Sequence, residues 1–257
     1  MSETLTPGTF LLLAPLVMIV AGVYASVGLG GGTGYLAIMS LCGMSAATMT
    51  PTVLALNIIV TGAALLRYGL AGHLNWRLFL PFLLPAMPAA FLGGFITADR
   101  KIFFTLLAAA LTIAAIAMFR NAPNTQEQGK DPGRLRLYAL GIPAGIIIGF
   151  LSGFLGIGGG VFFGPLVLLL GFAGPKQMAA MNSVLVLVLS SIGLAAHGIH
   201  GGIELKVVLP LAAAALIGGL CGASLAEKKI SACMLQRVFA VIILIAAVKA
   251  TFDALRP

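Results

Sequence analysis

Eight long apolar runs, separated by short polar connections, leave this chain few ways to fold. They cover about residues 9–43, 46–70, 76–97 and 102–119, then 136–171, 176–200, 204–225 and 230–250. Runs of that length match the thickness of a bilayer, where every backbone N–H and C=O must be paired internally, so they read as helices. Composition enters only to exclude the alternative: 60% of the 257 residues are hydrophobic, 9% are charged, and the mean hydropathy is +1.10. A soluble domain cannot hide so much apolar surface from water. The expected fold class is an all-α polytopic membrane protein with about eight transmembrane helices.

Two of the runs are too long and are interrupted in the same way. Gly28-Leu29-Gly30-Gly31-Gly32 breaks the first, and Gly156-Ile157-Gly158-Gly159-Gly160 breaks the fifth. An unbroken helix over such a run would be roughly 51 Å long, against a hydrocarbon core of about 30 Å. Glycine weakens a helix by about 1 kcal/mol relative to alanine, so both triplets mark where the helix opens. Opened backbone survives in a bilayer only where protein or a water-filled cavity satisfies it. A helix restarting after the break aims unpaired N–H groups and positive dipole at whatever lies ahead, which favours an anion.

The interruptions belong to a duplication. Gly28 and Gly156, and Gly30 to Gly32 and Gly158 to Gly160, match at an offset of 128 residues, as do Gly94 and Gly222, Asp99 and Glu227, and Arg100 and Lys228. At an offset of 130, Thr52 pairs with Asn182, Thr61 with Ser191, Arg67 with His197 and Gly72 with Gly202. The expected organisation is one transmembrane domain of two repeats, residues 9–119 and 136–252, joined by a polar linker at 120–135. If each interrupted segment crosses the membrane, there are eight spans and parallel halves; if it returns, the halves are inverted. Leaving Arg237 aside, basic residues split nine to five in either arrangement, so charge bias does not choose between them. Both arrangements put the central loop in the cytoplasm, and eight spans with both termini inside is the arrangement adopted.

The remaining composition limits the function classes. Cys42, Cys221 and Cys233 have no metal-ligand spacing and read as small core residues, and no cofactor or metal is expected. The net charge of +8 comes from basic residues clustered between apolar runs, so a bilayer rather than nucleic acid explains it. The first nine residues hold Glu3 and no Lys or Arg, which argues for a mature first helix over a cleaved signal peptide. No GxxxxGK[ST], HExxH or GxSxG stretch is present, and the acidic residues sit at segment ends or in loops, so neither ATP hydrolysis nor an intramembrane enzyme is expected.

Neutral hydrogen-bonding side chains populate two of the runs. Thr48, Thr50, Thr52, Asn57 and Thr61 lie in 46–70; Asn182, Ser183, Ser190, Ser191 and His197 lie in 176–200. Hydroxyls and amides can replace the water around an oxyanion without trapping it against a countercharge. The competing use of such residues is helix–helix bonding, at about 0.6 kcal/mol each. The substrate-binding candidates are Gly30, Gly31, Gly32, Gly158, Gly159, Gly160, Thr52, Asn57, Asn182, Ser183 and Arg237, with His197 as a candidate proton-coupling group. Arg237 earns its place because a cation two turns inside an apolar run is costly, although an Arg can also snorkel to the interface. Gly93, Gly94, Gly218, Gly219 and Gly222 read as close helix packing.

The repeated break, GLGGGTGYL at 28–36 and GFLGIGGGVFFGPLVLLLG at 153–171, resembles the TauE/SafE sulfite-exporter family over essentially the whole chain. The second copy, with Pro165, is closer to the usual family form than the first, which has Thr33-Gly34-Tyr35 and no proline. The resemblance implies an eight-helix bacterial inner-membrane transporter, built by four-helix duplication, moving sulfite, organosulfonates or related anions. Another small organic anion as substrate, or a passive anion channel, remain alternatives. Its partners would be a small anion and the lipid bilayer.

Overall fold

The computed structural model describes residues 7–41, 46–95, 108, 112, 116, 133–155, 157–198 and 205–255. Most of the expected run at 102–119 and of the linker at 120–135 lies outside those residues. The described chain is helical, with no strand among the described residues. Its helices are α1 (Pro7–Ala25), α2 (Gly32–Leu41), α3 (Ala46–Leu70), α4 (Trp76–Gly93), α5 (Arg134–Leu155), α6 (Gly160–Leu169), α7 (Pro175–Gly198), α8 (Leu205–Lys229) and α9 (Ala232–Leu255). Among the described residues, five stretches are long and apolar enough to cross a membrane: Pro51–Leu70, Trp76–Gly93, Arg134–Phe154, Pro175–Ala196 and Val208–Lys229. Leu13–Ala25 and Gly160–Leu169 are shorter apolar stretches. Many large apolar side chains face outward, among them Ile19, Leu84, Ile147, Leu209 and Ile245, as a lipid-exposed surface requires.

Glycine decides which helices approach most closely. In α5, Gly141, Gly145, Gly149 and Gly153 recur every fourth residue and form one bare stripe. A Cβ at these positions would strike Pro81, Phe82, Ala86 and Ala90 of α4 in turn. Because both series ascend together, α4 and α5 run parallel with their backbones in contact. The same device joins α1 to α8: a Cβ at Gly218 would meet Met18, and one at Gly222 would meet Gly22. In lipid, where no hydrophobic drive separates helix from solvent, such close backbone packing is what holds helices together. Two apolar cores result. One is built mainly from α1, α3, α8 and α9 around Val17, Leu56, Val60 and Ile243; the other fills the space among α4 to α7 around Phe79, Phe82, Phe163 and Leu185.

Helix directions follow from these contacts and the connections. Gly219 of α8 packs on Val60 and Ala63 of α3, while His73 just beyond α3 meets Glu227 near the end of α8, so α3 and α8 run together. Gly62 faces Leu187 and Gly193 faces Leu54, so α7 opposes α3. The tight turn at 71–75, with Gly72 at φ +75° and Asn75 capping α4 by accepting from Leu78 N at 3.2 Å, reverses the chain between α3 and α4. Hence α1, α3 and α8 point one way, and α4, α5 and α7 the other. The first helices of the two sequence halves are antiparallel, which departs from the parallel arrangement adopted from the sequence. The reason is short return helices: α2 and α6 each double back after a glycine segment, and charge bias had no means of registering them.

One end of the bundle is strongly basic. Arg67 and Arg77 flank the α3–α4 turn, Arg134 and Arg136 open α5, Lys176 opens α7, and Lys228 and Lys229 close α8. This end is tied across elements: His73 Nε2 lies 3.8 Å from Glu227 Oε1, and Lys176 Nζ donates to the Glu227 backbone carbonyl. The Arg136 guanidinium sits 5.6 Å from the centre of the Phe172 ring, in the α6–α7 turn.

Candidate functional site

Between α1 and α2, residues 26–31 are not helical, and between α5 and α6 the described residues 157–159 are not helical either. Left-handed backbone is concentrated here: Gly28 has φ +74°, Gly31 +99°, Gly158 +80° and Gly159 +73°. Only glycine enters that region without strain, which accounts for Gly31, Gly158 and Gly159, whereas Gly30, Gly32 and Gly160 leave too little room for a Cβ. The two segments meet. A Cβ at Gly160 would lie 2.6 Å from Leu29 Cδ2, and one at Gly32 would lie 3.3 Å from the Ile157 carbonyl oxygen.

Two buried amides flank this junction. Asn57 of α3 faces the first segment: a Cβ on Gly30 would overlap its side chain, and one on Gly32 would lie 3.1 Å from its Nδ2. Asn182 of α7 faces the second, with Oδ1 3.1 Å from a Cβ on Gly160. Both side chains are fully buried, at 0% exposure. Asn57 Nδ2 donates across to Ser190 Oγ at 3.5 Å, and Ser190 in turn stands against Gly158. Asn182 Nδ2 has only the Met178 thioether at 3.5 Å, a weak acceptor.

Hydrogen-bonding capacity at the junction is not exhausted. Asn57 Oδ1, Asn182 Oδ1, Ser152 Oγ and Tyr35 Oη are all buried without a partner. Leaving such a group unpaired costs about 1–3 kcal/mol, and four of them gather around this junction. An amide presents a donor or an acceptor on rotation by half a turn, with little change in shape. The main chain adds donors. Helix α6 is preceded by Gly159, which offers no side-chain cap, and its first intrahelical bonds come from Phe162 and Phe163 to the Gly159 carbonyl. The amides of Gly160 and Val161 therefore have no intrahelical acceptor. Every buried polar side chain among the described residues is uncharged: Ser26, Thr52, Asn57, Thr61, Ser152, Asn182, Ser183 and Ser190.

The residues singled out from sequence divide by position. Gly30, Gly32, Gly158, Gly160, Asn57 and Asn182 share the junction. Gly31 packs on the Tyr35 ring and Gly159 on Ser152, so both line its edges. Ser183 is buried beside Asn182, but its hydroxyl donates to Ala179 O of its own helix at 2.7 Å. Thr52 is buried on α3, more than a turn before Asn57. Arg237 is exposed on α9, away from the glycines, and His197 lies in the last turn of α7 with its side chain outside the described residues. Ser152 and Tyr35 were not anticipated. Ser152 carried one readable sign, since at the 128-residue offset it stands opposite Tyr24, another polar group beside a glycine break.

An all-helical, multi-pass membrane protein with buried neutral polar groups at a helix junction has the makings of a transporter. Its relatives fix the class as membrane transporter: the chain belongs to the family described as Sulfite exporter TauE/SafE, which it matches over residues 13–250. It is 31% identical over 240 residues to the probable membrane transporter protein y4hK of Sinorhizobium fredii, covering 92% of this chain and 96% of that one. It is 29% identical over 247 residues to the probable membrane transporter protein YunE of Bacillus subtilis, covering 86% and 89%. A probable membrane transporter protein of Xylella fastidiosa is 26% identical over 194 residues, 72% of each chain. No solved structure matches the chain.

Proposed function

We propose that the protein is a secondary transporter of small sulfur-containing anions, sulfite or an organosulfonate, in the bacterial inner membrane. The observation that carries this reading is the convergence of both glycine segments on two fully buried amides with unmet hydrogen bonds. The anion would lodge there, accepting from the Gly160 and Val161 amides, from Asn57 and Asn182 with their amides turned to donate, and from Ser190. Neutral donors hold an oxyanion without a permanent countercharge, so release stays fast enough for turnover. In this reading α1–α2 and α5–α6 are interrupted spans of two inverted repeats, an arrangement that places the site between the halves and open by turns to either side. The basic end of the bundle, with the 120–135 loop, faces the cytoplasm.

Flux into proteoliposomes tests the proposal. Sulfite, thiosulfate, sulfoacetate, taurine and sulfate are offered with and without a pH gradient. Saturable flux of at least one sulfur anion, altered by the pH gradient or by membrane potential, is the expected result. Saturable flux of a non-sulfur organic anion alone would refute the substrate class, and uncoupled, non-saturating flux would replace the carrier with a channel.

A further inference from the structure

The outer face of α1, α8 and α9 carries two adjoining, mainly apolar grooves, which touch the glycine segments only at Ser26. One, of about 620 Å³, is floored by Gly22, Gly218 and Gly222 and walled by Met18, Val23 and Cys221. The second, of about 630 Å³, shares Val23 and Val238 with it and runs along α9 to Ser231 and Arg237. The floor is bare because α1 and α8 approach at backbone distance there, so the shallow trough is a by-product of glycine packing.

Arg237 is the group that nothing else accounts for. It lies about two turns inside the basic end of the bundle, exposed, among Met234, Val241 and Ile245, which are exposed as well. No ion pair joins it to a described carboxylate. The described carboxylate at that end, Glu227, lies 3.8 Å from His73 Nε2, and Lys176 Nζ donates to its backbone carbonyl. A guanidinium at the boundary of the hydrocarbon is costly unless an anion meets it, and its planar fork suits two phosphate oxygens. Lys228 and Lys229, at the end of α8, add positive charge above it.

We propose that this face holds an anionic phospholipid, its phosphate on Arg237 and one acyl chain laid over Gly22, Gly218 and Gly222. Charge and shape agree: the cation stands where a headgroup would be, and the groove leads from it into the membrane. A second copy of the chain fits less well. A twofold axis along the membrane normal would bring Arg237 towards its own counterpart, on a face that shows no described carboxylate.

Native mass spectrometry of the full-length protein, titrated with phosphatidylglycerol or with phosphatidylcholine of the same acyl chains, tests the assignment. The wild type is expected to retain phosphatidylglycerol preferentially. Arg237→Ala should lower that preference about fivefold, the scale of one basic contact with an anionic lipid. Arg237→Lys should restore part of it, and Arg67→Ala, at the same end but outside the groove, should leave it intact. Cys221→Trp fills the groove while keeping the charge, and should reduce retention of both lipids. Equal retention of the two lipids by the wild type, or an undiminished preference in Arg237→Ala, overturns the proposal. So does efficient cross-linking of Cys221 to Cys221 between two chains in membranes, which would put a second copy over the groove.

Discussion

The two glycine segments are matched in sequence but secured differently. The first is tethered on both sides: Tyr24 Oη and Thr33 Oγ1 are 2.9 Å apart, and Tyr68 Oη donates to the Ser26 carbonyl at 2.5 Å. Gly28 is also pressed against the Ala179 backbone of α7. At the 128-residue offset those polar anchors are absent from the second segment, where Ser152 replaces Tyr24, Phe154 replaces Ser26 and Val161 replaces Thr33. Ser152 is left unpaired, and the neighbours of Gly158 are the side chains Val186 and Ser190 rather than backbone. Among the described residues the contacts that steady this copy are chiefly apolar, with Phe163 set edge-on to Phe79 and Phe82 at 5.7 and 5.4 Å. One segment is bolted and the other is only packed, so the second has more freedom to rearrange around a ligand.

Substitutions can break that contrast, beginning with the most damaging. Gly28→Ala places a Cβ inside α7 backbone at a left-handed φ, which costs about 1–2 kcal/mol before the clash is counted. Folded protein recovered by size-exclusion chromatography should fall to a small fraction of wild type; normal yield would show that the first segment is not bolted. Gly158→Ala carries the same left-handed strain, at φ +80°, but its Cβ meets the side chains of Val186 and Ser190 rather than backbone, so more protein should reach the membrane than with Gly28→Ala while anion flux in proteoliposomes is lost. Unchanged flux would remove that glycine from the site. Asn182→Ala should weaken anion binding by about 1–3 kcal/mol, read by isothermal calorimetry; wild-type affinity would leave the residue a packing element.

Two smaller changes sharpen the comparison. Tyr68→Phe removes one buried tether and should lower thermal stability by the equivalent of about 1 kcal/mol in a detergent melt. Ser152→Ala deletes a hydroxyl that has no partner, so stability should hold or rise slightly. A loss as large as that of Tyr68→Phe would mean that the second segment is tethered after all.

Much of this was legible in the chain, for identifiable reasons. Apolar runs define helices because lipid allows little else, and the triplets mark openings because Gly31, Gly158 and Gly159 take a left-handed φ that other residues rarely adopt. Asn57 and Asn182 stood out as amides within oily segments, and both lie at the junction. Helix direction was not legible, since α2 and α6 turn back inside the bundle without a polar loop to advertise it. The α5 stripe from Gly141 to Gly153 was present in sequence at four-residue spacing, but its partner on α4 required the structure. Arg237 could be recognised as costly, but whether it faced the interior or the lipid depended on the roll of α9, which a helix apolar on all sides leaves open.

The bare stripes on α5 and α8 also constrain motion. Helices meshed at main-chain distance cannot slip one notch past each other, because side chains such as Pro81 and Met18 would collide with the facing strut. Each pair, α4 with α5 and α1 with α8, must therefore travel as a single girder. Whatever rocking carries cargo from one side to the other has to be absorbed at looser seams, such as that between α3 and α7, where Leu54 and Leu187 offer compressible side chains instead of bone.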